Sequence, residues 1–369
     1  MQSKLDEWTE KWKISESLKE KSAQWEEALK FANDYKEIKI PKRKGSFRII
    51  SIPSEKLKET QREILIFLKK IFPEWYCEVQ GLYRGSFVEH ARYHSNSRFI
   101  FQFDLKDAFP SVNAERLRKI LYQRIQAISE TTLEAEYFTD LIISLTIYKG
   151  LLPQGAPTSP FLFYIFLLET GIFEKLYRIN QNFKISCYVD EFVISSQKPI
   201  PGEMRGKIIK TVEGLGLKVN EKKIFYRDCR QGCPMITGLR IDGKGRISLP
   251  KRKIRKWRGI IHRAVLETDP FTKEYLRQKV EGFISSIRPI YGENLPPQIE
   301  KTYQPFRSKL NPQKSGSFYK KARRGGLISF CFLKFSKPRI STETLRLRNL
   351  TASSNPFKKL TNSCLESNE

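Results

Sequence analysis

The sequence contains neither a long apolar run nor a recognisable secretion signal. Its longest apolar stretch, from Phe161 to Phe173, is interrupted by Glu169 and is shorter than the ~20 residues that a membrane span needs. The first residues are densely charged and have no apolar core, which argues against a secretory signal. We therefore expect no membrane association and a cytoplasmic location.

Paired cysteines are also missing. Six cysteines in 369 residues, with no Cys-x-x-Cys pair, do not build a disulfide framework, and free thiols fit a reducing cytosol. Cys229 and Cys233 together with His90 and His94 offer a zinc site as an alternative, although their spacing matches no usual zinc pattern.

Acidic residues are scarce relative to basic ones. Lysine and arginine number 67 against 40 aspartates and glutamates, which gives a formal net charge of +27. This excess exceeds what solubility requires and predicts a polyanionic partner, either nucleic acid or an acidic membrane surface. A hydrophobic content of 40% supports a real core, and the length suits two domains or one large domain with appendages.

Hydrophobic patterning predicts an α+β protein. Helical spacing covers residues 4–36, 57–72, about 160–179 and about 203–215, and it returns from 251 to about 290. Alternating or β-rich runs predict a strand within 41–53, a second from residue 99, and a tight hairpin within 185–196. The chain beyond about 305 is rich in Ser, Asn and Lys, and we expect its last 20 or so residues to be disordered.

Two acidic residues each end an apolar, β-prone run. Asp104 and Asp190 are separated by enough chain for their strands to become neighbours in one sheet. Carboxylates held side by side in this way can bind two divalent ions about 3.5–4 Å apart. Mg²⁺ suits such a site because it is a hard cation held by few carboxylates and by substrate phosphates. Surface acids at strand ends are the alternative for each residue alone.

Five motifs occur in a fixed order around these acids. They read FDLKDAFPSV (103–112), LPQGAPTSP (152–160), YVDEFVIS (188–195), GLKVNEKK (216–223) and TGLRI (237–241). This order resembles the palm of reverse transcriptases, and residues from about 40 to 295 resemble the retron type of that family. The resemblance implies a right-hand polymerase fold with fingers, a β-sheet palm and a helical thumb.

The resemblance assigns a catalytic centre. Asp104 and Asp190 are its metal carboxylates, the backbone carbonyl of Leu105 completes the coordination, and Glu191 accompanies Asp190. Lys223 stabilises or protonates the leaving pyrophosphate, with Lys222 as the competing choice. Two Mg²⁺ ions are expected, and Mn²⁺ can replace them.

A nucleotide site follows from the same comparison. Arg48 and Lys42 are expected to bind the triphosphate. Phe109 is expected to lie under the sugar, where its ring would exclude a ribose 2′-hydroxyl. The alternative is that Phe109 is an ordinary core residue. The expected nucleotide-binding residues are Arg48, Lys42, Phe109, Gln154, Gly155 and Tyr188.

The sequence departs from the family at two positions. The motif usually written Tyr-x-Asp-Asp ends here in Glu191, whose extra methylene displaces the carboxylate by about 1 Å, and such a misplacement can cost about 10²-fold in rate. His90 stands where retron enzymes typically carry Asn ahead of the histidine that His94 matches. The first departure leaves open a catalytically impaired RNA-binding scaffold, and the second leaves open other phage-defence groups.

A basic segment after residue 250 predicts contacts with nucleic acid. One helix there would follow a phosphate backbone while its tryptophan stacks or packs, although helical spacing cannot turn every charge to one side. The expected nucleic-acid-binding residues are Lys251, Arg252, Lys253, Arg255, Lys256, Trp257 and Arg258.

The resemblance, together with these patterns, implies five regions and one activity. The regions are an N-terminal helical extension (1–40), fingers (41–98), palm (99–245), basic helical thumb (246–300) and a C-terminal extension (301–369). The activity is RNA-directed DNA synthesis, in which dNTPs are added to a 3′-hydroxyl or to an RNA 2′-hydroxyl. The expected partners are a non-coding RNA that serves as template and the DNA product. The expected setting is a retron-like or anti-phage system, which can include an accessory effector protein. Protein-primed, template-independent and RNA-synthesising polymerases are the alternatives, and the oligomeric state is not predicted.

Overall fold

The computed structural model describes residues 2–41, 47–72 and 86–309, with side chains from residue 14 to residue 308. The chain divides into two compact units, and all contacts below lie in the unit from Leu18 to Pro312. The expected disorder of the last 20 residues, and most of the C-terminal extension, lie outside the described residues.

Helices and strands alternate along the described chain. The helices are α1 (Gln2–Ala28), α2 (Glu55–Ile71), α3 (Phe87–Ser95), α4 (Ala114–Gln126), α5 (Thr132–Thr146), α6 (Ser159–Glu169), α7 (Ile172–Ile179), α8 (Gly202–Glu213), α9 (Lys251–Leu266), α10 (Pro270–Tyr291) and α11 (Pro297–Lys309). The strands are β1 (Tyr35–Pro41), β2 (Phe47–Pro53), β3 (Phe99–Asp104), β4 (Lys184–Tyr188), β5 (Glu191–Ser196), β6 (Phe225–Asp228), β7 (Met235–Ile236), β8 (Leu239–Ile241) and β9 (Ile247–Ser248). The predicted α+β class is confirmed.

A four-stranded antiparallel sheet forms the centre of the fold, with strand order β4-β5-β3-β6. Its two central strands are almost wholly buried, with Phe103 stacked on Phe192 at 5.4 Å between ring centroids. The strand expected from residue 99 and the hairpin expected within 185–196 are both confirmed. A separate three-stranded sheet, β7-β8-β9, follows in the chain.

The N-terminal helix ends earlier than its composition predicts. The expected helix over 4–36 stops at Ala28, a 3-10 turn follows, and residues 35–41 form β1, which pairs with β2 from Tyr35↔Pro53 to Pro41↔Phe47. Long-range packing overrides local propensity here. The Tyr35 ring stacks on Tyr148 at 4.3 Å, and Gln61 Nε2 donates to the Tyr35 hydroxyl at 2.7 Å.

The apolar helix expected over about 160–179 is two helices. Gly171 separates α6 from α7 with a φ of +64°, a left-handed conformation that glycine adopts without steric cost. The hydroxyl of Thr170 caps the end of α6 by donating to the Leu167 carbonyl at 2.6 Å. The break lets α6 stay buried all round while α7 turns only one face to the core.

The three C-terminal helices pack around a common apolar core. Trp257 of α9 stacks on Phe283 of α10 with ring centroids 3.9 Å apart and planes 5° from parallel. Ile299 and Phe306 of α11 join the same cluster. The predicted helices between 251 and about 290 are confirmed, and in the described part of the chain no helix has the length and apolarity to cross a membrane.

Candidate active site

The two predicted carboxylates meet at one end of the central sheet. Asp104 ends β3 and pairs in register with Glu191 at the start of β5, while Asp190 lies in the two-residue turn that joins β4 to β5. The Leu105 N–H donates to the Asp190 carbonyl at 2.8 Å, which fastens the end of β3 to this turn. The expectation that the two strands become neighbours is confirmed.

The carboxylates influence one another electrostatically. Burial raises the pKa of Asp190, and the nearby charge of Asp104 raises it further, whereas Lys223 and Arg48 oppose the rise. Burial raises the pKa of Glu191 to about 7. Lys223 Nζ forms an ion pair with Asp104 Oδ2. Of the two lysines considered, Lys223 is therefore the one that the structure brings to the carboxylates.

Backbone strain accompanies this turn. Val189 has a φ of +60°, a conformation that is unusual for a β-branched residue and costs on the order of 1–3 kcal/mol. The Cys187 thiol donates to the Val189 carbonyl at 3.3 Å. Strain of this kind persists where surrounding contacts over-determine the conformation, so the position of Asp190 is held by its surroundings.

A hard divalent cation such as Mg²⁺ binds through oxygen ligands, mainly carboxylates and phosphates. In the described chain, no group of three or more His, Cys, Asp or Glu side chains is arranged as a ready-made metal site. Asp104 and Asp190 nevertheless supply converging carboxylate oxygens whose mutual repulsion a cation would relieve, which fits Mg²⁺. Beyond the effect of burial, the charges of Asp104 and Asp190 also raise the pKa of Glu191, so Glu191 lies near both carboxylates, and its Oε1 accepts the Thr237 N–H at 3.2 Å.

The zinc alternative is wrong, because both histidines are buried in a network of hydroxyls. His90 Nε2 and His94 Nε2 lie 2.6 and 2.7 Å from the Ser186 hydroxyl, and His94 Nδ1 lies 2.8 Å from that of Ser195. The Ser195 hydroxyl donates onward to that of Ser97 at 2.8 Å. The Ser186 hydroxyl lies between the two imidazoles, and the tautomer of each ring sets which partner donates.

Both imidazoles in this network are neutral. Burial lowers the pKa of His90 to about 3. Burial also holds the pKa of His94 well below its ordinary value, and the neighbouring His90 and Lys184 lower it further. The His90 ring also stacks on Tyr188 with centroids 5.5 Å apart. Helix α3 therefore contacts β4 immediately before the turn that carries Asp190.

The β1–β2 pair docks onto the loop that precedes α6. The Ser51 N–H donates to the Gln154 carbonyl at 2.9 Å, and Gly155 has a φ of +134°. A Cβ at Gly155 would lie 2.7 Å from the Ser51 carbonyl oxygen, so glycine is required by the approach of β2. The exposed Arg48 of the same strand lies near enough to Asp190 to lower its pKa. Lys42 lies outside the described residues.

The two aromatic candidates are both engaged in packing. Phe109 is 9% exposed, and its ring lies edge-on to Phe163 at 5.5 Å. Tyr188 is half-buried against His90. Their expected contacts with a nucleotide, like those of Gln154 and Gly155, stay predictions.

The basic helix α9 separates its charges by face. Lys253 turns inward, with Nζ 5.5 Å from the centroid of the Phe87 ring, and burial lowers its pKa. Trp257 faces α10, so its ring packs within the protein through the stack on Phe283. The expected basic residues that remain exposed for a phosphate backbone are Lys251, Arg252, Arg255, Lys256 and Arg258.

Sequence reasoning missed the partners of the predicted residues. Ser186 and Thr237 each bond a motif residue that lies at least 46 positions away in the chain. A buried serine inside the apolar strand β4 is a usable signal, because such a hydroxyl needs a partner. Thr237 belongs to the TGLRI motif, but nothing in the sequence indicates that its amide bonds Glu191.

A family model described as reverse transcriptase (RNA-dependent DNA polymerase) matches residues 40–234. The match covers the central sheet, the β2 strand and four of the five predicted motifs, and it ends before the fifth, TGLRI (237–241). The chain belongs to the reverse transcriptase family, and the predicted right-hand polymerase fold is confirmed.

Individual relatives narrow the resemblance to the retron type. The chain is 27% identical to the retron Mx162 reverse transcriptase of Myxococcus xanthus over 63% of its own length and 53% of that protein. It is 26% identical to the retron Ec83 reverse transcriptase of Escherichia coli over 74% of its length and 88% of that protein. The chain thus spans about half the length of the first relative.

Solved structures give a weaker likeness. Telomerase from Candida tropicalis in complex with the TWJ fragment of telomeric RNA overlays with a TM-score of 0.47 at 14% identity, covering 80% of this chain and 55% of that one. A likeness of this size carries no argument about this chain.

Proposed function

We propose that the chain is an RNA-directed DNA polymerase that adds dNTPs to a 3′-hydroxyl or an RNA 2′-hydroxyl. The observation that carries this proposal is the convergence of Asp104, Asp190 and Lys223 at one end of the central sheet, with Arg48 close enough to lower the pKa of Asp190. Family membership supplies the reaction class. The similarity to retron enzymes supports a non-coding RNA as template and a DNA product.

The acidic residues of the site would bind metal ions, and its basic residues would bind phosphate groups. Asp104 and Asp190, with the Leu105 carbonyl, would hold Mg²⁺, or Mn²⁺ in its place. When bound, the ions lower the pKa of the attacking hydroxyl and neutralise the leaving pyrophosphate. Lys223 holds a proton on Nζ beside Asp104, where a leaving phosphate can receive it. Arg48 offers a bidentate donor to the triphosphate.

The surrounding elements give the substrates their places. Phe109 closes the floor of the nucleotide site with Gln154, Gly155 and Tyr188, while Lys42 assists Arg48. The exposed basic residues of α9 hold the template–product duplex through its phosphates. A cytoplasmic retron-like or anti-phage system, in which an accessory effector protein takes part, is the setting that these features favour.

A single synthesis assay tests this proposal. Purified protein with its co-purifying RNA is incubated with labelled dNTPs and Mg²⁺, and the product is treated with RNase and DNase. Asp104→Asn should abolish labelled DNA, whereas Asp140→Asn, at an exposed acid paired with Arg118, should not. The proposal fails if no primer yields product, or if Asp104→Asn matches the wild type; such a result would favour the RNA-binding scaffold.

A further inference from the structure

Glu191 makes a contact that a shorter acid cannot make. Its Oε1 accepts the backbone N–H of Thr237 at 3.2 Å. Removing one methylene withdraws the carboxylate by roughly the length of a C–C bond, about 1.5 Å. The oxygen would then lie beyond the ~3.5 Å at which a hydrogen bond is lost. The length of this side chain is therefore matched to its partner.

The partner is a tight turn with a fixed shape. Ile236 pairs with Leu239, which leaves Thr237 and Gly238 as the two loop residues between β7 and β8. Their φ values are +48° and +76°, the pattern of a two-residue hairpin turn with both central residues left-handed. Such a turn points its backbone donor in a defined direction, so it can serve as an anchor.

The turn is anchored in its own right. The Thr237 hydroxyl donates to the Phe87 carbonyl at 2.7 Å, and Phe87 is the first residue of α3. Ser86 and Glu89 form a capping box that fixes this end of the helix. A rigid helix end thus stands behind the group that Glu191 contacts.

Helix α3 consequently holds both strands of the hairpin. It contacts β4 through His90 and His94, which share the Ser186 hydroxyl. It contacts β5 directly through His94 and Ser195, and it is linked to the start of β5 through Thr237 and Glu191. The strained turn that carries Asp190 lies between these two attachments.

We propose that Glu191 is a positioning residue, which fastens the hairpin to the Thr237–Gly238 turn and so sets Asp190 against Asp104. The role rests on the proposed polymerase function for its activity readout only. It assigns a purpose to the one departure in the Tyr-x-Asp-Asp motif: side-chain length matters at this position, and the negative charge does not.

Two matched substitutions separate length from charge. Glu191→Gln keeps the length and an acceptor oxygen but removes the charge, whereas Glu191→Asp keeps the charge and shortens the side chain. DNA synthesis, its dependence on Mg²⁺ concentration, and hydrogen exchange at the Thr237 amide are measured for both variants. Thermal unfolding shows that each variant is folded.

Positioning predicts that Glu191→Gln synthesises DNA at least tenfold faster than Glu191→Asp, since misplacement by about 1 Å costs up to about 10²-fold. The Thr237 amide should exchange about tenfold faster in Glu191→Asp than in the wild type, and Glu191→Gln should keep most of its protection. The half-saturating Mg²⁺ concentration of Glu191→Gln should stay within about twofold of the wild type.

The opposite pattern overturns the proposal. If Glu191→Asp is the faster variant, or if Glu191→Gln keeps Thr237 protected yet loses synthesis or needs much more Mg²⁺, then Glu191 is a metal ligand. If the wild type itself makes no DNA, the proposed function fails, and the exchange rates at Thr237 still decide the positioning role. Thr237→Ala removes the bond to Phe87 and changes no residue of the β4–β5 hairpin. Like Glu191→Asp, it should slow DNA synthesis.

Discussion

Adding one methyl group at Gly155 tests how the β1–β2 pair is attached to the loop that precedes α6. The new Cβ would lie 2.7 Å from the Ser51 carbonyl oxygen and 3.0 Å from Ile50 Cγ2. Both neighbours belong to β2, and one of them is backbone, which cannot rotate away. Gly155→Ala therefore forces the strand pair and the loop apart, or strains both.

The cost can be worked out from two contributions. A φ of +134° is a glycine conformation, and an alanine there costs on the order of 1–3 kcal/mol. Overpacking against a fixed neighbour adds about 1–3 kcal/mol. Gly150→Ala is the matched control, because Gly150 also has a positive φ (+73°) but nothing lies within 4 Å of its Cβ position. The control should cost only the backbone contribution, about 1–2 kcal/mol.

Urea unfolding and hydrogen exchange measure the difference. Gly155→Ala should lower the unfolding free energy by at least about 1 kcal/mol more than Gly150→Ala. The Ser51 amide, which donates to Gln154, should lose its protection only in Gly155→Ala. Equal destabilisation by the two substitutions, with Ser51 still protected, would refute the packing argument.

Three further predictions concern the site and its support. Burial lowers the pKa of both histidines in the folded chain, so their contribution to stability is complete above the unfolded value near 6.5 and is lost as the pH falls. For His90 this loss extends down to its folded pKa of about 3. Between pH 6 and pH 4, the urea-derived unfolding free energy of the wild type should fall relative to that of His90→Asn by about 1.4 kcal/mol per pH unit, and equal slopes in the two proteins would contradict the buried neutral imidazole. Lys223→Ala should slow synthesis about 10²-fold in a single-turnover assay, whereas Lys222→Ala should change it less than about threefold; equal effects would contradict the pairing with Asp104. Phe109→Ala should raise incorporation of NTPs relative to dNTPs at least about tenfold, and an unchanged ratio would show that the ring serves only the core.

The parts of the fold that the sequence predicts are those with a strong local signal. The strand ending at Asp104, the hairpin around Asp190 and the amphipathic helices each carry a hydrophobic period long enough to identify the element. β1 was missed because Tyr35–Pro41 follows a long helical pattern and is a strand only through its pairing with β2. The break at Gly171 was missed because one glycine within an apolar run is compatible with either a helix or its end.

The parts of the site that escape prediction depend on contacts between distant residues. Motif spacing predicts Asp104 and Asp190 as the carboxylates, but it does not choose between Lys222 and Lys223. That choice depends on the short 3-10 turn after Asn220, which directs Lys223 toward Asp104. Likewise, the motif alone suggests that Glu191 is a metal ligand whose carboxylate is misplaced by its longer side chain. Its contact with Thr237, 46 residues away, gives the extra methylene a structural reason. A departure from a catalytic motif is therefore to be judged by what the altered side chain touches, because a change in length can matter more than a retained charge.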